Sequence, residues 1–470
     1  MSQLIPLALF GWIPLSVILF ATLPTRRAIL ASYLLGWMFL PIGEIDVPFV
    51  HLNKSTTIAF GALLGTFLFG TKGRRLRLHW ADLPMLLWCS VPFVTSMSNQ
   101  LGAYDGAAVS VTRAVVWGTP YLLGRKYFAD LRSQRELARG LFLAGLVYVP
   151  LCLFEIRFSP QLHMHLYGDH QHSFLQTIRG FGLYRPMVFM EHGLMVGMFM
   201  AAASLVGVHL WRTGSVRHVW GLPMGLLVTV LVGTTVLCQS FGALLLLELG
   251  LVALFAKRGL RPLIVTTLVA LPIVYLSVRV PDLWTGEALP ELVAGIDADR
   301  AYSFQFRLEQ EAILSKHALE RPFFGWGGYG RAFPYGYRDG GPLISDSLWI
   351  VTLGMNGLVG LVSVIATLLL PILIWSRRCS PRSWSHSAAA PGAALAVVLA
   401  IYALDGMVNM MINPVFLIAA GSLTGFVERG TLVLRRHAVL RRLPSEPDEP
   451  VEADAPPDES PDGGVVPHHV

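Results

Sequence analysis

Arginines that could recognise phosphate gather in two stretches of this chain, Arg179 and Arg185 in one and Arg300, Arg307, Arg321, Arg331 and Arg338 in the other. Several stand beside aromatics and glycines rather than in solvated polar runs. A guanidinium keeps its charge and offers paired donors that match phosphate oxygens, so such a patch suits a diphosphate or another anionic headgroup. Unspecific contact with lipid phosphates is the plainer account. Within the second stretch lies Arg321–Gly330, Arg-Pro-Phe-Phe-Gly-Trp-Gly-Gly-Tyr-Gly. Its glycines Gly325, Gly327, Gly328 and Gly330 let backbone turn tightly or approach a ligand closely. It lacks the lysine and the following helix of a nucleotide phosphate loop. Asp346 then heads an apolar run. It reads either as a helix N-cap or as a carboxylate placed to act as a general base. Arg113 and Asp405 lie within apolar segments, where a charge is costly unless paired or functional.

The elements that must hold these residues are membrane helices. Of the 470 residues 54% are hydrophobic and 14% charged, where soluble domains carry about 25% charged residues. Mean hydropathy is +0.56. Apolar runs recur near 4–23, 28–42, 56–71, 81–97, 108–124, 140–157, 187–209, 219–238, 242–256, 262–280, 346–374, 388–408 and 412–428. They are apolar on all sides, which excludes the alternation of a membrane barrel and predicts helices. The second run is short, and the eighth and ninth nearly touch at Gln239-Ser240. The fold class is therefore all-α, a polytopic transmembrane bundle of about 12–13 spans. The first run has no basic region before it and no convincing cleavage site, so it reads as a retained span.

Alternate connections are basic: Arg26-Arg27, then Lys72, Arg74, Arg75 and Arg77, then Arg125, Lys126, Arg132, Arg135 and Arg139. Arg212 and Arg217, Lys257, Arg258 and Arg261, Arg377, Arg378 and Arg382, and a final group from Arg429 to Arg442 continue the series. The positive-inside rule places these connections and the C-terminus in the cytoplasm, and thirteen spans put the N-terminus outside. The net charge of +6 then reflects topology rather than nucleic-acid binding. Two outer connections are long. One, 157–186, holds His163, His165, His170 and His172, and interrupts the helices of 1–280. The other, 281–345, is longer than structureless loops usually are. Within it the apolar spacing of Phe306, Ile313 and Leu314 predicts a helix over Tyr302–Leu319 on the outer membrane face. Helices of 346–430 follow, then an acidic, Pro-rich segment, 443–470, that reads as disordered. Cys89, Cys152, Cys238 and Cys379 have no metal-ligand spacing and read as small buried residues.

The order of these features resembles the O-antigen ligase and O-antigen polymerase superfamily of bacterial membrane glycosyltransferases. In that family an arginine-bearing helix precedes a proline–bulky–Gly-x-Gly turn. A His-Asn or His-Ser pair then starts a span, with Gly-x-x-Gly nine residues on. Here Arg307 and its helix lead to Arg321-Pro-Phe-Phe-Gly-Trp-Gly, then Asp346-Ser347, then Gly357-Leu-Val-Gly360. The family's outer Arg-x-x-Gly-x-x-x-Pro is matched by Arg179-Gly-Phe-Gly182-Leu-Tyr-Arg185-Pro186, and its Ser-Arg-Gly in part by Ser240-Phe241-Gly242. The motifs cover about 180–430.

The resemblance implies a metal-independent, inverting glycosyl transfer with no cofactor. A glycan on undecaprenyl diphosphate would pass to a glycan or lipid acceptor at the outer face of the bacterial cytoplasmic membrane. Membrane lipids and other polysaccharide-assembly proteins would be its partners. It implies diphosphate binding by Arg179, Arg185 and Arg307, with Asp346 as base in the family histidine's place. Arg185 or Arg307 would replace the arginine missing at Phe241, and Gly325, Gly327, Gly328, Gly330, Gly357 and Gly360 would shape the site. A transporter or flippase of a lipid-linked or anionic solute is the second reading, and a structural subunit the third. Transport would call for repeats and for broken or polar helices near the midplane. No repeat is visible, and the polar residues gather outside.

Overall fold

The computed structural model describes residues 3–47, 50–71, 76, 78–179, 182–284, 286, 291, 294–295, 298–334, 343 and 345–426. Lys72, Arg74, Arg75, Arg77 and Arg338, the basic residues after Phe426 and the segment 443–470 lie outside them. The chain divides into Met1–Gly430 and a second unit, Thr431–Val470, which also lies outside.

The described chain is mostly helical, as the all-round apolar runs dictate. Helices occupy each of the thirteen apolar stretches. They are α1 (Leu4–Thr22), α2 (Thr25–Phe39), α3 (Lys54–Phe69) and α4 (Leu83–Ser98). α5 (Ala103–Arg113) passes through a π-helical turn, Ala114–Gly118, into α6 (Thr119–Tyr127). Then come α7 (Leu131–Phe158), a short α8 (Leu162–Tyr167), α9 (Gly193–Arg212), α10 (Met224–Leu237), α11 (Phe241–Phe255) and α12 (Arg261–Arg279). The long connection carries α13 (Ala298–Leu319) and a single turn, α14 (Tyr329–Ala332). α15 (Leu348–Arg378), α16 (Ala390–Asp405) and α17 (Pro414–Phe426) follow. Five of these, α1, α7, α9, α12 and α15, are long and apolar enough to cross a membrane, and α3, α10, α11, α16 and α17 are shorter apolar helices. The chain is a membrane protein.

The helices pack against one another as a bundle. α9 and α16 are buried almost along their whole length, while α1 and α12 expose large apolar side chains such as Leu7, Leu263 and Ile273. Close approach rests on small residues, as expected where lipid supplies no hydrophobic drive between helices. A Cβ on Gly421 of α17 would stand 1.9 Å from the Tyr121 carbonyl oxygen of α6, and one on Gly124 2.1 Å from that of Ile418.

The connections sort into two sets. Arg26 pairs with Asp130 (3.0 Å), Arg135 donates to the Ser215 carbonyl, Ser215 to that of Ser387 (2.7 Å), and Arg261 to that of Pro381 (3.0 Å). The basic connections are thus tied to one another. The alternate connections make a second network. The Ile42 amide donates to His163 (3.0 Å), Lys54 Nζ to the Phe189 carbonyl (2.6 Å), Arg185 to that of Gln239 (3.2 Å) and Arg307 to that of Val408 (3.3 Å). A hairpin of Glu44–Val47 and Val50–Asn53 belongs to this second set.

The helix in the long connection begins at Ala298, earlier than its apolar spacing predicts. Its inward face carries Ala301, Leu308, Glu311, Leu314, Ser315 and Ala318, whereas Phe306 and Ile313 point outward. The spacing rule placed all three large apolar residues on one face, but Phe306 and Ile313 are exposed and the buried face includes a carboxylate. The seventh apolar stretch becomes helical only at Gly193, because its first residues form a turn with Val188 at positive φ and His192 then caps the helix.

Candidate functional site

α13 carries Arg307 and Glu311 one turn apart on one side, so both meet the residues that open α15. Arg307 Nη2 lies 3.8 Å from Asp346 Oδ2, and both side chains are partly exposed. Arg307 Nη1 donates to the Val408 carbonyl at 3.3 Å, just beyond the end of α16. There Asp405 accepts from Asn409 Nδ2 at 2.8 Å, within electrostatic reach of Arg307. Asp346 is not the N-cap of α15. That position is held by Ser347, and the Asp346 carboxylate turns instead to Arg307.

Beneath this pair is a buried polar cluster. Glu311 accepts from the Ser347 hydroxyl and from Tyr275 (3.2 Å), and Arg279 Nη2 stands 3.5 Å away. Arg279 also donates to the carbonyls of Trp284 (2.9 Å) and Leu308 (3.1 Å). Burial pushes the Glu311 carboxyl above its ordinary range, and Ser347, Arg279 and Tyr275 pull it part of the way back. α12, α13 and α15 are thus bolted together under Arg307 and Asp346.

The other arginines sit on the shorter of the two long connections, 157–186, which Glu155 pegs to the end of α7. Its carboxylate accepts from the amides of Leu162 (3.1 Å), Met187 (2.9 Å) and Val188 (2.7 Å). His163, one of the four histidines of this connection, is structural here. Its Nε2 accepts from Ile42, so Nδ1 carries the proton donated to the Asp169 carbonyl at 2.7 Å. Among the described residues no group of three His, Cys, Asp or Glu could hold a metal ion. The cysteines are free, and three of them are buried.

Arg179 and Arg185 flank a tight reversal in which the Arg179 amide donates to the Leu183 carbonyl (3.1 Å) and the Arg185 amide to that of Thr177 (2.7 Å). The Arg185 stem crosses Gly193 so closely that a Cβ there would meet its Cδ at 2.4 Å. Its guanidinium reaches the Gln239 carbonyl. Next to Gly193 is His192, the N-cap of α9, whose Nδ1 accepts from the Leu194 amide at 3.0 Å. Burial lowers its pKa to about 4, helped by the charges of His172, Arg185, Arg307 and Arg179. The three arginines expected to act together thus lie within electrostatic reach of one imidazole, although they come from two connections over a hundred positions apart.

The glycine-rich turn has a different setting. α15 is broken at Gly357 (φ 64°, ψ −165°), and the turn fills the break. Amides of Trp326 and Gly327 donate to the carbonyls of Gly354 (2.8 Å) and Met355 (3.0 Å), and those of Leu358 and Val359 to Pro322 (2.7 Å) and Phe323 (3.2 Å). Neither partner admits a side chain. A Cβ on Gly325 would lie 2.6 Å from the Asn356 nitrogen, and one on Gly357 2.4 Å from the Phe323 carbonyl. Gly325, Gly327 and Gly328 all have positive φ, Gly330 lies in the single turn α14, and Gly360 packs against Asn356. Thr95 and Asn99 of the α4 end secure the turn through the carbonyls of Phe324 (2.8 Å) and Gly325 (2.9 Å). Arg321 donates to Asn99 and lies over Trp326, which stacks on His317. Arg331 donates to the Asn99 carbonyl at 3.4 Å. Arg113, at the π-helical turn, donates to Asn356 Oδ1 at 2.9 Å and lies over the Trp88 ring at 3.9 Å. These two irregular backbones satisfy one another inside the protein, as buried backbone polar groups must.

Glu311, Arg279, Tyr275, His192 and Asn356 were missed by sequence reasoning. Glu311 looks like any polar residue of an amphipathic helix, and His192 like a plain cap. Only Arg279, a cation closing an apolar run, carried a local signal. Compared with known proteins, the chain matches no family model and no curated protein.

Proposed function

We propose that this protein is a glycosyltransferase that polymerises or ligates a lipid-diphosphate-linked glycan at the outer face of a bacterial cytoplasmic membrane. The observation that carries the reading is Asp346 held 3.8 Å from Arg307, with Arg307, Arg179 and Arg185 all within electrostatic reach of His192. Three permanent cations suit a diphosphate, and a carboxylate beside them suits a base. The resemblance to the O-antigen ligase and polymerase superfamily supports the same assignment. Its two glycine motifs, Arg321-Pro-Phe-Phe-Gly-Trp-Gly and Gly357-Leu-Val-Gly360, are physical partners here. Phe241 is exposed, and Arg185 reaches Gln239 two residues earlier, which supports Arg185 as the substitute for the family arginine absent at 241.

In this reading all thirteen helical stretches span the membrane, and the interlinked basic connections face the cytoplasm with the C-terminus. α15 is broken at Gly357, and its part from Leu358 to Arg378 alone runs about 31 Å at 1.5 Å per residue, enough for a hydrocarbon core of about 30 Å. Its first turns then project outward and bring Asp346 to the aqueous side. Asp346 takes the proton of an acceptor hydroxyl as its oxygen bonds to the anomeric carbon. The bond from that carbon to the diphosphate oxygen breaks, and Arg179, Arg185 and Arg307 stabilise the departing charge. Such stabilisation is worth most where the donors are fixed beforehand, as the Glu311 cluster fixes α13.

Transport of an anionic solute has one observation in its favour, the broken α15 facing Arg113. That break is filled by the 322–327 segment rather than lining a cavity, so surface chemistry is the better supported reading. The test is to express Arg179→Ala, Arg307→Ala and Asp346→Ala and follow polymer and lipid-linked repeat units. Loss of polymer, accumulation of the lipid-linked units and normal membrane insertion are expected. Undiminished polymer in all three variants would overturn the proposal.

A further inference from the structure

We infer that His192 is a fourth ligand of the anion held by Arg179, Arg185 and Arg307, and that it binds as a neutral imidazole through its Nε2 proton. The inference rests on the diphosphate reading above and adds a residue and a protonation state to it.

The tautomer follows from the hydrogen bonds. Nδ1 accepts from the Leu194 amide at 3.0 Å, so it cannot carry a proton while it caps α9. The proton then resides on Nε2, which lies 3.0 Å from Gln176 Oε1. Gln176 is an exposed side chain on a surface turn and can swing away. An anion oxygen arriving among the three arginines would take its place as acceptor. Only a group that offers an N–H without charge adds a contact here at low electrostatic cost, because the site already holds three guanidiniums. The same crowding keeps the imidazole from protonating, together with its burial, the loss of the α9 cap that protonation would entail, and the edge of His172 at 4.6 Å between ring centroids. The amino-terminal end of α9, a 20-residue helix, adds its own dipole in the same direction. His192 thereby differs from a base. It has no free lone pair, and its one proton, directed at Gln176 here, is what it offers an anion.

The experiment uses the full chain in lipid nanodiscs and a dialkyl diphosphate diester, whose own charge is constant across the range tested. Binding is measured from about pH 5.5 to about pH 8, a range that brackets the ordinary histidine value. Three variants are compared with the unaltered chain. His192→Ser keeps a capping oxygen but withdraws the donor, His192→Asn keeps both a cap and an amide donor, and Arg307→Ala removes a cation. Affinity in the unaltered chain is expected to be level with pH and reduced by Arg307→Ala. A reduction of about tenfold or more is expected in His192→Ser, the effect of losing one hydrogen bond to a charged group, and only a few-fold loss in His192→Asn. Thermal unfolding of both His192 variants, unchanged because the cap is kept, separates this from misfolding. Equal affinity in His192→Ser and the unaltered chain would overturn the inference alone. So would an affinity that climbs on acidification in the unaltered chain but not in His192→Asn, since the ligand would then be an imidazolium. Absence of binding by the unaltered chain would overturn the diphosphate reading itself.

Discussion

Arg307 and Asp346 stand 3.8 Å apart, and the next contact inward joins Glu311, one turn along α13 from Arg307, to Ser347, the residue after Asp346. The two contacts are rungs of one ladder, the outer exposed and the inner buried. Because the inner rung is fixed by Tyr275 and Arg279, it sets the spacing of the outer one. The outer pair should therefore behave as a unit. Arg307→Ala and Asp346→Ala are each expected to lower glycan transfer about 100-fold or more, typical for loss of a fixed charge at a reacting centre. The double variant should be little worse than either single one, since residues in contact that position one another are strongly non-additive. Losses that multiply in the double variant would show that the two act independently.

Glu311 makes stability depend on pH. Its folded carboxyl titrates above the ordinary value of 4.5 because it is buried. Below that value both folded and unfolded chains hold the proton. As pH rises, the unfolded chain ionises first, so stability falls through the window up to the folded pKa. Thermal midpoints in detergent should show the unaltered protein losing ground to Glu311→Gln as pH rises from about 4.5, the Glu reference value. A difference between them that stays flat across that window would contradict the assignment. Arg279→Ala should cost much more, about 3–5 kcal/mol, because it leaves a buried carboxylate without its cation.

The helices were legible in the sequence because lipid imposes one rule, that apolar runs satisfy their own backbone, and every such run in this chain is helical. The arginines were legible too, since Arg179, Arg185 and Arg307 are conspicuous in glycine- and aromatic-rich surroundings. Their common neighbour was not. His192 lies in the sequence beside Glu191, and nothing local says that a guanidinium from position 307 will come near it. Asp346 illustrates the opposite failure. Position alone suggested a cap, but capping is a local preference worth about 1 kcal/mol. Ser347 occupies the N-cap position without a side-chain capping bond, its hydroxyl going to Glu311, and the distant Arg307 turns the Asp346 carboxylate away. The glycine turn was read as a wall of the site, whereas its hydrogen bonds go to the break in α15, a partnership visible only in three dimensions.

That partnership predicts unequal tolerance among the glycines. Gly357→Ala meets the Phe323 carbonyl at 2.4 Å at a positive φ, and Gly325→Ala meets the Gly354 oxygen and the Asn356 nitrogen, each at 2.6 Å. Both contacts are with backbone that cannot step aside, so each variant should fold poorly and be recovered in low yield. Gly328→Ala has open space and only its φ of 65° to contend with, which costs about 1–2 kcal/mol. Gly330→Ala, helical and unobstructed, should be neutral. Yields and thermal midpoints would rank them. A Gly357→Ala as stable as Gly330→Ala would mean that the turn does not occupy the break.

The two sets of connections make the orientation testable by labelling. His172 is exposed on the connection that carries Arg179 and Arg185, while Arg217 is exposed beside Ser215, within the interlinked basic set. The native cysteines interfere little, because Cys152, Cys238 and Cys379 are buried and Cys89 is only partly accessible. In intact spheroplasts a membrane-impermeant maleimide should modify His172→Cys at once and spare Arg217→Cys until the membrane is permeabilised. Basic residues near membrane-helix ends are retained on the cytoplasmic side, which is why position 217 is chosen for the protected site. The reverse pattern would put the arginine cluster in the cytoplasm, where no outward-facing lipid-linked glycan could reach it. Labelling of both from outside would show that the basic connections do not share one side, and the thirteen-span arrangement would fall with it.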